Sequence, residues 1–371
     1  MAAGADVPDA LSGGAEVSDE GAEIAGPAAV VADASVSGSV FVDALSSESE
    51  QPAAAAKVMT TPTTRDRMVT VSASAASVAR VGLPTPRSAW HADAVKVEPV
   101  TASIGAVVSD VALAQLDTDG IEAVRGIVHE HEVAFFPGQD LDDEQHLRCA
   151  QALGRVRVFP IAALFGATEP AVTAIVDTPD DRPVADDWHT DVTWMAEPPD
   201  YAMLRSVTAP ERGGDTMWAS LTAAYDALSE PFRAMVSDLR VVHDNTSFLE
   251  AVKKKVPPDV YEEHGLDELK TLYPPVTHPL IRTHPVTGRR ALFLGGYFMR
   301  RIEGLEELES DAMLDFLRTH MDQPRFHVRW RWSEGDVAIW DERTTNHRAV
   351  ADHWPQQREV RRCEVGGSVP K

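Results

Sequence analysis

Residues Arg325 to Trp332 alternate without interruption: Phe326, Val328, Trp330 and Trp332 are interleaved with Arg325, His327, Arg329 and Arg331. A period of two is the repeat of an extended strand, with bulky apolar groups on one face and polar groups on the other. Such a strand has to lie with one face on a core and the other toward water. The turn Ser333-Glu334-Gly335-Asp336 follows, and then the short apolar run Val337 to Trp340, so antiparallel neighbours in a sandwich or barrel are predicted.

Helical signals surround these strands. Asp119 to His131 reads as a helix, with Asp119 as its cap and Glu122 three residues on, running into a strand Val133 to Phe136 that Pro137 and Gly138 stop. Asp142 caps a second helix carrying Leu147, Ala150 and Leu153 on one face and Gly154 at its end. Ser220 precedes a helix through Leu228, and Ser310 one through His320. No internal repeat, GxGxxG or phosphate-loop signature occurs. The fold class is α+β, strand-rich.

Composition limits the partners. The 58 acidic and 34 basic residues leave a net charge of -24, which repels nucleic acid and anionic lipid, so an anionic ligand must be caught by local arginines. No stretch approaches the roughly 20 consecutive apolar residues of a membrane-spanning helix. The start of the chain lacks the features of a secretion signal or transit peptide, and Cys149 and Cys363 are too few for a disulfide framework, so a cytoplasmic protein is expected. Residues 1–90 are rich in Ala, Ser, Val, Gly and Thr with no sustained period, which predicts a disordered low-complexity extension ahead of a domain over 91–371.

The chemistry concentrates in Trp188-His189-Thr190-Asp191-Val192-Thr193-Trp194. Read as a strand, this segment points His189 and Asp191 to one face, two of the three ligands of a 2-His-1-carboxylate site for Fe(II). A second such pair, His91-Ala92-Asp93, shows that one pair alone is about what chance supplies in a chain with 13 histidines. The remainder of the set is a distant His347-Arg348-Ala349-Val350 followed by Arg358-Glu359-Val360-Arg361-Arg362. If the last segment is a strand, Arg358 and Arg362 share a face suited to bidentate recognition of carboxylate or sulfonate.

With these motifs the chain resembles the iron(II)- and 2-oxoglutarate-dependent dioxygenases of the taurine dioxygenase (TauD/TfdA) group over about residues 95–369. The resemblance is carried by Trp188 to Thr193, by Arg212-Gly213-Gly214-Asp215-Thr216 with Ala219-Ser220, by Gly335 to Asp341, by His347-Arg348-Ala349, and by Arg358 and Arg362. Thr216 falls 25 residues after Asp191, and Arg358 and Arg362 fall 11 and 15 after His347, all in register with the family. The resemblance implies a double-stranded β-helix (jelly-roll) core with flanking helices. It implies that His189, Asp191 and His347 bind Fe(II), and that Thr216 and Arg358 hold the distal carboxylate of 2-oxoglutarate. Arg362 becomes the counter-ion of the prime substrate, with Val192, Ser247 and Phe248 lining its pocket.

The implied reaction is oxidation, most simply hydroxylation, of a small anionic organic molecule with O2 and 2-oxoglutarate as co-substrates and release of succinate and CO2. Relatives associate as dimers or tetramers, so a homo-oligomer is expected. Two departures point away from taurine and toward a larger or more apolar anion, such as an alkyl sulfate, sulfonate, aryloxyalkanoate or other carboxylate. Ala185 stands where the taurine enzyme has a substrate-contacting asparagine, and Gly154 to Pro160 lacks its histidine and tyrosine. Desaturation or another oxidation of a secondary-metabolite precursor stays open at this level, as do a non-catalytic anion binder and a zinc hydrolase. Elsewhere, His129 and His131 read as a solvated helix end, the Arg325 to Arg331 stripe as a solvent-facing surface, and the tryptophans as core, with Trp340 close to the site.

Overall fold

The computed structural model describes residues 95–371 apart from 165–166, 181–186 and 256. The expected N-terminal extension, the His91–Asp93 pair and Ala185 lie outside the described residues. The strands are β1 (Lys96–Pro99), β2 (Ala106–Ser109), β3 (Val133–Phe136), β4 (Thr173–Asp177), β5 (Tyr201–Thr208), β6 (Thr216–Ser220), β7 (Arg240–His243), β8 (Val276–Pro279), β9 (Ile281–Thr283), β10 (Arg290–Leu292), β11 (Met299–Ile302), β12 (His327–Trp330), β13 (Val337–Asp341), β14 (Thr345–Ala349) and β15 (Arg358–Val365). The helices are α1 (Thr118–His131), α2 (Asp143–Leu153), α3 (Pro160–Leu164), α4 (Leu221–Asp226), α5 (Glu230–Val236), α6 (Thr246–Lys255), α7 (Pro258–Glu263), α8 (Glu268–Leu272) and α9 (Glu307–Met321).

Among the described residues, a large sheet in the order β1-β2-β3-β13-β5-β15-β4 lies against a smaller one, β12-β6-β14, while β11-β7-β8 and β10-β9 form separate small sheets. Val133 and Phe135 of β3, Ala202 and Leu204 of β5 and Ala338 and Trp340 of β13 pack onto Trp218 and Val328 of the smaller sheet. The alternate residues Ala134, Phe136, Met203 and Ile339 face the other way, onto Val124 and Val128 of α1 and Ala150 and Leu153 of α2. A strand covered on both faces has no polar face to alternate with, which is why β3 and β13 appear in the sequence as continuous apolar runs. The result is a strand-rich α+β jelly roll, and no helix among the described residues is long and apolar enough to cross a membrane.

The Arg325–Trp332 alternation holds as a burial pattern, with Phe326, Val328 and Trp332 buried and Arg329 and Arg331 exposed. Only His327–Trp330 is hydrogen-bonded as strand, because Pro324–Phe326 forms a turn of 3-10 helix. Among the described residues β12 pairs on one side, with β6; its outward Arg329 meets Asp215 and Asp352, and Arg331 just beyond it donates to the Glu211 carbonyl. Asp142 caps α2 in a reciprocal box with Gln145, and the Ser220 hydroxyl accepts from Ala223 N–H to start α4.

Two predicted helix starts move. α1 begins at Thr118 and its cap is Asp117, whose carboxylate accepts the Gly120 N–H, leaving Asp119 in the first turn where its charge favours the helix dipole. α9 begins a turn before Ser310, capped by Glu306 with Glu309. The Ser310 hydroxyl, inside α9, accepts the Ile302 N–H and ties the helix to β11. Cys149 and Cys363 are buried free thiols, each pushed up to about 12 by burial.

Candidate active site

The segment Trp188–Trp194, expected as a strand, makes a single bridge. His189 and His347 exchange backbone hydrogen bonds, N–H to O at 3.1 and 2.8 Å, and residues 191–194 then turn away. The Asp191 N–H goes to the Glu342 carboxylate at 3.2 Å rather than to a neighbouring strand, and Val192 takes φ 40°, a left-handed conformation that costs a β-branched residue energy. The histidine and aspartate therefore converge because the chain folds back on itself. Gly296 closes the loop behind them: at its φ of 62°, a Cβ would stand 2.3 Å from the Trp188 carbonyl and 2.8 Å from the His189 Cβ.

His347 comes from the middle of β14, facing the turn. Asp191 Oδ1 lies 3.4 Å from His189 Nε2 and 3.8 Å from His347 Nε2. All three side chains are buried, and one ligand atom from each fits within a 4.8 Å set. The His189 Nδ1 is 2.8 Å from the Asp187 carbonyl, a contact that puts the proton on Nδ1 and leaves Nε2 as a lone-pair donor. Burial alone would raise the Asp191 carboxyl, but the Arg362 guanidinium, then His347 and His189, hold it well below its ordinary value. Burial, with His189 beside it, pushes the His347 imidazole down to about 3 against the opposing pull of Asp191. A charged carboxylate at Asp191 and a neutral imidazole at His347 are protonation states that suit a divalent cation. The donor set thus fits Fe(II), with Asp191 Oδ1 facing the Nε2 atoms of both histidines.

Thr216 opens β6, and Arg358 reaches the segment just ahead of it. The Arg358 Nε donates to the Gly214 carbonyl at 3.0 Å, two residues before Thr216, and its Nη1 lies 3.6 Å from Asp177 across the β15–β4 pair. Gly214, at φ 69°, gives the arginine stem room, since a Cβ would sit 3.0 Å from its Cδ. The Thr216 hydroxyl oxygen accepts the Trp332 Nε1–H at 2.9 Å, which leaves its own proton to donate. The expected strand over Arg358–Arg362 is present, and both arginines are buried on one face.

Arg362 Nη1 lies 3.2 Å from Asp191 Oδ2, while its Nη2 is 3.0 Å from Glu364. Val192 and Phe248 share one apolar cluster with Ile161 and Trp194, and Phe159 packs on Phe248 edge to face. The Ser247 hydroxyl accepts from Arg300 Nη1 at 3.0 Å. Trp340 lies close to the site as expected, its ring centroid 5.0 Å from that of His347. Sequence patterns gave no sign of Glu342, Asp177 or Trp332 in this site, because spacing does not reveal which acids are buried or where an indole N–H points.

A second His–His–Asp group lies elsewhere. His129, expected at a solvated helix end, has a side chain only 11% exposed, because the last turn of α1 packs over β5 and β13. Its Nε2 is 2.6 Å from the Tyr201 hydroxyl. His284 Nε2 and Asp341 Oδ2 are 2.9 Å apart, and the Arg343 fork holds both Asp341 oxygens at 2.8 and 2.6 Å.

A jelly roll that buries two imidazoles and a carboxylate around one point defines the class of non-haem iron oxygenases. The model of the family described as taurine catabolism dioxygenase TauD, TfdA family matches residues 96–364. An α-ketoglutarate-dependent sulfate ester dioxygenase of Pseudomonas putida is 39% identical over 285 residues, 76% of this chain and 93% of that protein. The crystal structure of a taurine dioxygenase from Burkholderia xenovorans superposes with a TM-score of 0.60 at 33% identity, covering 75% of this chain and 92% of that one. The structure of AAD-2 in complex with Mn(II) and N-oxalylglycine gives 0.61 at 26% identity, covering 74% and 98%. The chain belongs to the TauD/TfdA family of 2-oxoglutarate-dependent dioxygenases, oxidoreductases that use Fe(II), 2-oxoglutarate and O2.

Proposed function

We propose that this enzyme hydroxylates an anion with an apolar body, an alkyl sulfate ester first among sulfonates, sulfate esters and carboxylates. One juxtaposition carries the reading: the Arg362 guanidinium stands against Asp191 while the residue next to that carboxylate, Val192, joins Phe248 in an apolar cluster. A guanidinium fork matches a sulfate or carboxylate head, and the apolar side chains favour a hydrocarbon body over a short polar one. The similarity to a sulfate ester dioxygenase points the same way.

In this reading His189, Asp191 and His347 hold Fe(II), Thr216 and Arg358 take the distal carboxylate of 2-oxoglutarate, and Arg362, Val192, Ser247 and Phe248 receive the substrate. The iron, when bound, couples decarboxylation of 2-oxoglutarate by O2 to insertion of oxygen into a substrate C–H bond. Asp191 and Glu364 fix the Arg362 fork, so the substrate head is oriented as it binds. Hydroxylation at the carbon bearing the sulfate oxygen would give an unstable intermediate that separates into an aldehyde and sulfate. The domain is taken as 91–371, and the protein as a cytoplasmic dimer or tetramer that binds neither nucleic acid nor membrane.

The test is succinate release with a panel of a medium-chain alkyl sulfate, the matching sulfonate, an aryloxyalkanoate and taurine. Alkyl sulfate should stimulate succinate formation with equimolar sulfate, and taurine should stay near the rate without substrate. Equal turnover of taurine and alkyl sulfate would refute the apolar-body assignment.

A further inference from the structure

Glu342 follows β13 and precedes β14, and its side chain is wholly buried although it carries a carboxylate. Burying such a group costs heavily unless it is hydrogen-bonded or faces a cation. Its two oxygens are committed to parts of the candidate metal centre. Oε1 accepts the Trp340 Nε1–H at 2.7 Å and lies 3.8 Å from His347 Nδ1. Oε2 accepts the backbone N–H of Asp191 at 3.2 Å. One carboxylate thus touches both the turn that presents Asp191 and the histidine on β14.

The two histidines of the centre differ in their outer nitrogens. His189 has its Nδ1 on the Asp187 carbonyl, while His347 Nδ1 is buried with no hydrogen-bond partner. An imidazole that gives Nε2 to a metal carries its proton on Nδ1 and needs an acceptor there. We propose that Glu342 is that acceptor, a positioning carboxylate that closes on His347 Nδ1–H when metal binds and holds the Asp191 turn from its other oxygen. Its contribution is metal affinity and ligand orientation. It belongs to neither the 2-oxoglutarate clamp nor the substrate pocket, and it rests on the proposed assignment of His189, Asp191 and His347 as ligands.

The test is anaerobic titration of metal-free protein with Mn(II) alone, followed by electron paramagnetic resonance, for the wild type, Glu342→Gln, Glu342→Leu and His347→Ala. Outer hydrogen-bond partners of metal-bound histidines are worth about 10- to 100-fold in affinity. Glu342→Gln, which keeps an acceptor oxygen, should weaken Mn(II) by about tenfold, and Glu342→Leu by about a hundredfold. Thermal unfolding of the metal-free proteins separates positioning from folding: the Gln variant leaves either the Trp340 Nε1–H or the Asp191 N–H without its acceptor and should melt somewhat lower than the wild type, so affinities are compared at a temperature where every variant is folded. Mn(II) affinity within twofold of wild type in both Glu342 variants, with His347→Ala strongly weakened, overturns this inference and leaves the ligand set standing. Unchanged affinity in His347→Ala overturns both.

Discussion

Among the described residues two clusters join two histidines to one aspartate, and they differ in where an arginine stands. At His189, Asp191 and His347, a single guanidinium nitrogen of Arg362 approaches the carboxylate, 3.2 and 3.4 Å from its two oxygens, and Oδ1 still faces both imidazoles. At His129, His284 and Asp341, the Arg343 fork takes both oxygens, and its Nη2 also lies 3.2 Å from His129 Nε2. The guanidinium Nη2 bridges His129 and Asp341, and the same carboxylate holds His284 directly. The same three residue types thus give an open donor set in one place and a closed ion-pair network in the other.

The largest predicted contrast is between the two aspartates. Asp191→Asn should lower substrate-dependent succinate formation by more than about a hundredfold, because it would remove the proposed anionic ligand of the cation. Asp341→Asn should leave kcat within about threefold at temperatures where it remains folded, since its cluster supports structure. Comparable losses in both would end the distinction.

Next in size is Arg343→Met. Breaking a buried ion pair costs about 3–5 kcal/mol, so denaturant unfolding should show a loss of that order. With the fork gone, the protein should take up a second, weaker equivalent of Mn(II). A stoichiometry that stays at one per chain would show that something other than the guanidinium closes the second cluster.

Acid stability sharpens the comparison further. Burial would raise the Asp341 carboxyl, but Arg343 and then His284 hold it well below the ordinary carboxylate range. A depressed folded-state pKa contributes stability above the unfolded value that is lost as pH falls below it, so wild-type stability should drop steeply below about pH 4 and the Asp341→Asn slope should be shallower. Neighbouring Glu132, whose carbonyl accepts the Asp341 N–H at 2.9 Å, behaves oppositely. Burial raises its carboxyl from 4.5 to about 7, so its protonated form favours folding and stability is lost as pH rises through that interval. Glu132→Gln should remove that slope in pH-dependent melting curves.

The smallest effect is expected at Trp332→Phe. The Thr216 hydroxyl would lose the indole donor that orients it, a hydrogen bond worth about 1 kcal/mol, or roughly fivefold in the KM for 2-oxoglutarate with kcat unchanged.

What the sequence made legible follows from which forces are local. Asp142 and Ser220 were readable as caps because a cap bonds to N–H groups three residues away. The shared face of Arg358 and Arg362 was readable because strand geometry alone sets it. Trp188–Trp194 misled because its aromatic and β-branched residues favour a strand, while the Glu342 carboxylate, 151 positions away, captures the Asp191 N–H and turns the chain. The burial of His129 escaped for the same reason: its charged neighbours suggest solvent, and the packing of α1 on the sheet decides otherwise. His189 and Asp191 are legible as a pair on one face and the full set with His347 through the resemblance to the family, whereas Glu342 and Asp177, single acids with no motif of their own, become visible only when the strands beside them are paired.

The most direct measurement is an anaerobic titration of the metal-free protein with Fe(II) and then 2-oxoglutarate, following the visible charge-transfer band of the chelate. A saturable band should appear at one iron per chain, be absent in His189→Ala and persist in Arg343→Met. Iron bound without that band, or a band that survives in His189→Ala, would contradict the assignment of His189, Asp191 and His347 as ligands.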